Sequence, residues 1–199
     1  MRHLAPALLL LAPACASPSS ADGADEPRVN RISLHLGTRG MNGSDWDPVE
    51  DEGVGGLEFV HEAPGSVVGI EAAFFAGERT EDDFFVPPAQ RVDYRSRTAE
   101  LSFGVHKELP VQYSGVHPYF GGGLSALNAE LRGPENGAER EQDGDSVGLY
   151  LHGGVEFDAS SALFLGIDLR LRGGSEVHLL GEDRDTGYGQ VAFVLGVRF

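Results

Sequence analysis

The chain has 199 residues, with 31 acidic against 15 basic side chains and a formal charge of −16. That balance excludes the basic face a nucleic-acid binder presents to phosphates. With 28 glycines and no long run of apolar residues at helical spacing, the body reads as strands and connections.

The opening stretch, MRHLAPALLLLAPACASPSS, carries Arg2, an apolar run over 8–12 and then small residues. It reads as a secretory signal for the Sec route, too short to span a membrane and outside the fold. The chain's one cysteine, Cys15, sits at the cleavage region. Two readings stand side by side. Residues 12–14 or 14–16 form an ordinary small-x-small cleavage site, or LAPAC resembles a bacterial lipobox that would make Cys15 a lipidated terminus. Residues 16–27, ASPSSADGADEP, read as a disordered tether. The expected division is therefore signal 1–15, tether 16–27 and folded domain 28–199.

From residue 28 a pattern of alternating segments recurs, near 29–37, 56–62, 67–76, 92–106, 119–131, 147–157, 162–172 and 189–199. Period-two alternation marks strands with two unlike faces. In the seventh, Leu163, Leu165, Ile167, Leu169 and Leu171 oppose Phe164, Gly166, Asp168, Arg170 and Arg172. In the first, Ile32, Leu34 and Leu36 oppose Arg31, Ser33 and His35. The fifth is noisier, with Asn128, Glu130 and Arg132 on one face. Connections after odd segments are long and acidic, and those after even segments are short. An up-and-down meander places the two kinds at opposite ends.

Alternation alone does not say whether the apolar face looks inward, as in a soluble exported lipocalin-like barrel, or outward to lipid. Three features favour lipid: the export signal, the asymmetry of the connections, and charged residues in mid-strand. Arg31, Glu71, Glu100, Glu156, Asp168, Arg170 and Arg198 all fall on polar faces among small residues. They are expected to fill a narrow lumen as an ionic network, the carboxylates pairing with Arg31, Arg170 and Arg198, because unpaired buried charge is costly.

The last strand, GQVAFVLGVRF, resembles the assembly signal of bacterial outer-membrane barrels. Tyr188, Val191, Phe193, Leu195, Val197 and Phe199 carry that likeness. VHPYFGGGLS at 116–125 is similar to a strand start of the OmpA/OmpX-type barrels. The resemblance covers about 28–199. It implies an all-β, eight-stranded antiparallel transmembrane barrel in the bacterial outer membrane, with envelope lipids and the barrel-assembly machinery as partners.

The family that the chain resembles includes lipid A deacylases and acyltransferases, and the resemblance implies for a deacylase a His-x-Ser pair near a carboxylate, in which the histidine takes the serine proton. His106, His117 and His152 have no serine two residues on, so no catalytic residues are assigned. The acidic stretches DWDPVEDEG at 45–53 and EQDGDS at 141–146 lack the spaced carboxylates of an EF-hand loop and read as solvated; no metal or cofactor is assigned. Trp46, Phe84 and Phe85 lie in exposed long connections, and the FFVPP run at 84–88 reads as a partner contact, a cover folded over the barrel mouth or an anchor at the membrane interface. The expected role is structural or surface interaction through the long acidic loops, without catalysis. The alternatives are a porin-like narrow pore or carrier of small apolar molecules, and a lipid A-modifying enzyme. No residue singles out a surface partner.

Overall fold

The computed structural model describes residues 30–42, 46–47, 49–63, 66–86, 90–111, 113, 115–135 and 138–199. Cys15 and the expected signal and tether lie outside the described residues, as do the side chains of Phe84 and Phe85. Among these residues ten strands follow in order: β1 (Asn30–Met41), β2 (Asp51–His61), β3 (Gly69–Val86), β4 (Gln90–Glu108), β5 (Val116–Glu135), β6 (Ala138–Asp158), β7 (Leu163–Gly173), β8 (Glu176–Leu179), β9 (Glu182–Asp185) and β10 (Tyr188–Arg198). Eight of them close into an antiparallel barrel in the order β1-β10-β7-β6-β5-β4-β3-β2, while β8 and β9 form a separate hairpin.

Closure is made by β10 against β1, in a register running from Arg31 opposite Arg198 to Met41 opposite Tyr188. Asn30 and Phe199 exchange both backbone hydrogen bonds, at 3.1 and 3.0 Å, at the foot of this seam. A closed ladder leaves no strand edge with unpaired amides, which a hydrocarbon surround requires. The seam is tight: a Cβ on Gly37 would come within 1.9 Å of the Val191 carbonyl oxygen.

The outer wall carries the apolar set. Leu163, Leu165, Ile167, Leu169 and Leu171 of β7 are exposed, as are Val191, Phe193, Leu195, Val197 and Phe199 at the closing strand, Phe193 by 74%. Such a belt far exceeds the apolar patch a soluble monomer tolerates. β7 and β10 have 11 residues each, about what a tilted strand needs to cross a bilayer. The facing residues, including Ser33, His35, Arg39, Glu100, Ser102, Asp168 and Arg170, are buried inside. The alternative of a soluble barrel with an apolar interior is thereby overturned.

Above the belt the four central strands run on. β5 and β6 span 20 and 21 residues and remain paired up to Glu135 opposite Ala138. β3 and β4 remain paired up to Val86 opposite Gln90, with an irregularity between Glu81 and Phe84. Two of the four long connections expected from the sequence are thus largely β-ribbon. A third holds the β8–β9 hairpin, which turns on Leu180 and Gly181, both at positive φ, as a two-residue hairpin turn demands.

Candidate functional site

The lumen is filled in layers, and the layers follow from the inward register of each strand. At the end with the short turns, Arg31 donates to Glu156 at 3.1 Å and Arg198 donates to the same carboxylate at 2.6 Å. Arg198 also bonds Asp158. His117 bridges Glu108 at 2.6 Å and Asp158 at 2.9 Å. Glu62 and Glu108 each lie 3.7 Å from Arg31.

The next layer is built on histidines. Glu71 Oε2 lies 3.3 Å from His106 Nδ1 and 3.0 Å from His152 Nε2, while Tyr150 donates to its other oxygen at 2.6 Å. His152 Nδ1 lies 3.0 Å from Asp168 Oδ2, which also accepts from the Tyr119 hydroxyl at 2.8 Å. Arg31 reaches the far nitrogen of His106. The expectation that Glu71 and Asp168 pair with arginines is corrected here. Their strand positions lie level with His106 and His152, and the guanidinium groups of Arg170 and Arg198 are engaged at other levels.

Above it sits Glu100. Arg39 donates to it at 3.2 Å and Arg170 at 3.5 Å, and the Tyr188 hydroxyl bonds the same side chain. Arg39 also donates to Gln190 at 2.9 Å and Thr98 at 3.1 Å, and Arg170 to Ser102 at 2.7 Å. Glu52 accepts from Ser96 and Thr98, both at 2.6 Å. Arg39 stacks over Tyr188 and Arg170 over Tyr150, at 4.0 and 3.9 Å. Higher still, Arg172 donates to Ser125 at 2.7 Å and to the Thr186 carbonyl at 2.7 Å.

The polar column ends under an apolar lid. Met41, Trp46, Val49, Leu127, Ala129, Leu131, Val177, Leu179 and Tyr188 form one buried cluster. Trp46 is fully buried and donates its indole N–H to the Asp185 carbonyl at 2.7 Å. The expectation that Trp46 lies in an exposed loop is corrected here, because it is buried in the cover over the mouth. The noise in the fifth segment is explained as well. Beyond the bilayer the outside is water and the inside is the lid, so Asn128, Glu130 and Arg132 face out and Leu127, Ala129 and Leu131 face in.

Of the residues singled out in the sequence, Arg31, Glu71, Glu100, Glu156, Asp168 and Arg170 are buried in the lumen, and Arg198 is at its mouth. Tyr188 departs from the other terminal-strand residues: it points inward onto Glu100. Sequence reasoning missed Arg39, Glu52, Glu58 and Arg172, and left His35, His106 and His152 outside the network. Strand parity places His35 with Arg31, His106 with Glu100 and His152 with Glu156, and that signal was available.

Among the described residues one serine–histidine pair is hydrogen-bonded, Ser33 Oγ to His35 Nε2 at 3.0 Å. The His35 Nδ1 atom has no hydrogen-bond partner among the described residues, so none of them orients the ring as an activated nucleophile requires.

Residues 7–199 match the model of the outer membrane protein beta-barrel domain. No curated protein sequence is matched. Among solved structures, the chain is similar to the Neisserial surface protein A at 16% identity and TM-score 0.54, covering 86% of this chain and 96% of that one. It is similar to Ail, the attachment invasion locus protein of Yersinia pestis, at 13% and 0.56, covering 86% and 99%; Ail is also known in complex with the heparin analogue sucrose octasulfate. OprG of Pseudomonas aeruginosa matches at 13% and 0.56, covering 86% and 97%.

Proposed function

This chain belongs to the outer membrane β-barrel family and resides in the bacterial outer membrane, and from that premise we propose that it is a closed, non-conducting pedestal for contact at the cell surface, without catalysis. The observation that carries the reading is the doubly sealed lumen: an ionic column through the bilayer, then the Trp46 lid. In this family short turns face the periplasm and long connections face outward. The β3–β4 and β5–β6 ribbons then stand outside the cell on a rigid base.

The outer faces of those ribbons carry charged cross-strand contacts. Arg97 donates to Glu130 at 3.4 Å, Asn128 to Asp145 at 3.0 Å, and Arg95 bonds Glu78. The protein's charge of −16 points to a cationic or cation-bridged partner, opposite in polarity to the polyanion bound by Ail. The terminal residues Val191, Phe193, Leu195, Val197 and Phe199 serve as the assembly signal in this reading, and an export signal delivers the chain through the Sec route.

Single-channel recording in planar bilayers tests the seal. The folded protein gives no unitary conductance in moderate salt, and discrete openings abolished by lumen substitutions overturn the proposal. Cells displaying the protein are retained on polylysine surfaces and not on heparin surfaces; the reverse preference refutes the polarity assigned to the partner.

A further inference from the structure

The histidine layer has a second chemistry. The donor atoms of Glu71, His106 and His152 all lie within 4.8 Å of one another, with the two histidine–carboxylate separations at 3.3 and 3.0 Å. A tetrahedral zinc ion with ligand bonds of about 2.1 Å holds its ligand atoms about 3.4 Å apart. The three side chains project from β3, β4 and β6, and each is no more than 1% exposed. A small inward movement of two imidazoles and one carboxylate around a common centre is all that ligation requires.

The surroundings fit a metal site. The Asp168 carboxylate sits on His152 Nδ1 and is itself held by the Tyr119 hydroxyl. This arrangement fixes the ring and aims Nε2 at an ion, as carboxylate–histidine pairs do around zinc. Tyr150 holds the Glu71 oxygen not needed for ligation. Gly121 keeps the space beside the donors open: a Cβ there would come 2.3 Å from His152 Nε2 and 2.8 Å from Glu71 Oε2.

Charge points the same way. Glu58 is buried beside Glu71, Asp168, His152 and Arg170. Glu58 Oε2 and Asp168 Oδ1 have no hydrogen-bond partner among the described residues. Buried polar atoms left without partners are strongly unfavourable, so these two carboxylate oxygens leave the layer short of donors or cations.

We propose that Glu71, His106 and His152 form a binding site for a divalent transition metal, with zinc the best match to two imidazole nitrogens and one carboxylate oxygen. Ligation uses lone pairs on His152 Nε2 and His106 Nδ1. The His152 ring proton stays on Nδ1 against Asp168. The His106 ring proton moves to Nε2, and the Arg31 guanidinium leaves that atom for Glu156, to which it already donates. The bound ion ties three strands together across the lumen.

The full chain, folded into detergent micelles with Zn²⁺ or Co²⁺ supplied before or after folding and then desalted, tests this. One equivalent of metal per barrel is retained, and the Co²⁺ form shows the intense visible bands of tetrahedral coordination. His106→Gln and His152→Gln each lower retained metal at least ten-fold, and Gly121→Ala lowers it as well, while heat-modifiable gel migration reports that each variant is folded. Folded wild type that retains no metal overturns the site. So does equal retention by all variants, which would place the ion on the acidic ribbons or at His117. If a histidine variant does not fold, the wild-type Co²⁺ spectrum decides: tetrahedral bands support the site, and octahedral or missing bands overturn it.

Discussion

Glu100 is the keystone of the upper lumen, and removing it gives a measurable consequence. Its fully buried carboxylate accepts from Arg39 at 3.2 Å and from the Tyr188 hydroxyl, with Arg170 at the margin at 3.5 Å. Two hydrogen bonds to a charged acceptor, at about 1.5–3 kcal/mol each, put the loss for Glu100→Ala near 4 kcal/mol. That lies within the roughly 3–5 kcal/mol expected when a buried ion pair loses one member and leaves the other unpaired. With a urea slope of about 2 kcal/mol/M, the unfolding midpoint in micelles falls by about 2 M. Glu100→Gln keeps one oxygen acceptor and loses roughly half as much. The control is Glu78→Ala, whose carboxylate pairs with Arg95 on the exposed ribbon and which costs about 0–1 kcal/mol. Equal midpoints for Glu100→Ala and Glu78→Ala would refute the reasoning, because they would mean that water fills the lumen and screens its charges.

Trp46 is the chain's single tryptophan and is buried in the lid, so its emission is blue-shifted and resists acrylamide quenching. Val177→Asp places a charge in the same cluster and makes Trp46 quenchable and the β8–β9 hairpin protease-sensitive, with the barrel's heat-modifiable migration intact; unchanged quenching would remove the lid. Gly37→Val drives a side chain into the Val191 carbonyl across the closing seam and abolishes the folded gel band. Gly173→Val, whose Cβ meets nothing within 4 Å, folds normally, and the opposite ranking would contradict the seam geometry. Arg172→Met leaves the Ser125, Ser146 and Thr186 oxygens without their shared donor and lowers stability by about 2–3 kcal/mol, read as an earlier urea midpoint.

The sequence by itself determined which residues face lipid and which face the lumen within the bilayer. Alternation has a period of two, and a strand held in a flat belt between two unlike media cannot shift by one residue without turning its whole apolar face the wrong way. Alternation set Leu163 to Leu171 and Val191 to Phe199 on one face against Glu100, Asp168 and Arg170, and the export signal, the unequal connections and those mid-strand charges turned the apolar face to lipid. Three things required the tertiary structure. One is height: parity says in or out and nothing about level, so it could not tell that Glu71 and Asp168 meet His106 and His152 while Glu100 meets Arg39. A second is the inversion above the membrane, where Leu127, Ala129 and Leu131 turn inward because the outer medium has changed from lipid to water. The last is Trp46, which reads as exposed in an acidic connection and is buried because the ribbon and the β8–β9 hairpin close over it. Each depends on contacts between strands distant in sequence, set by the tilt and closure of the barrel, which no single strand encodes.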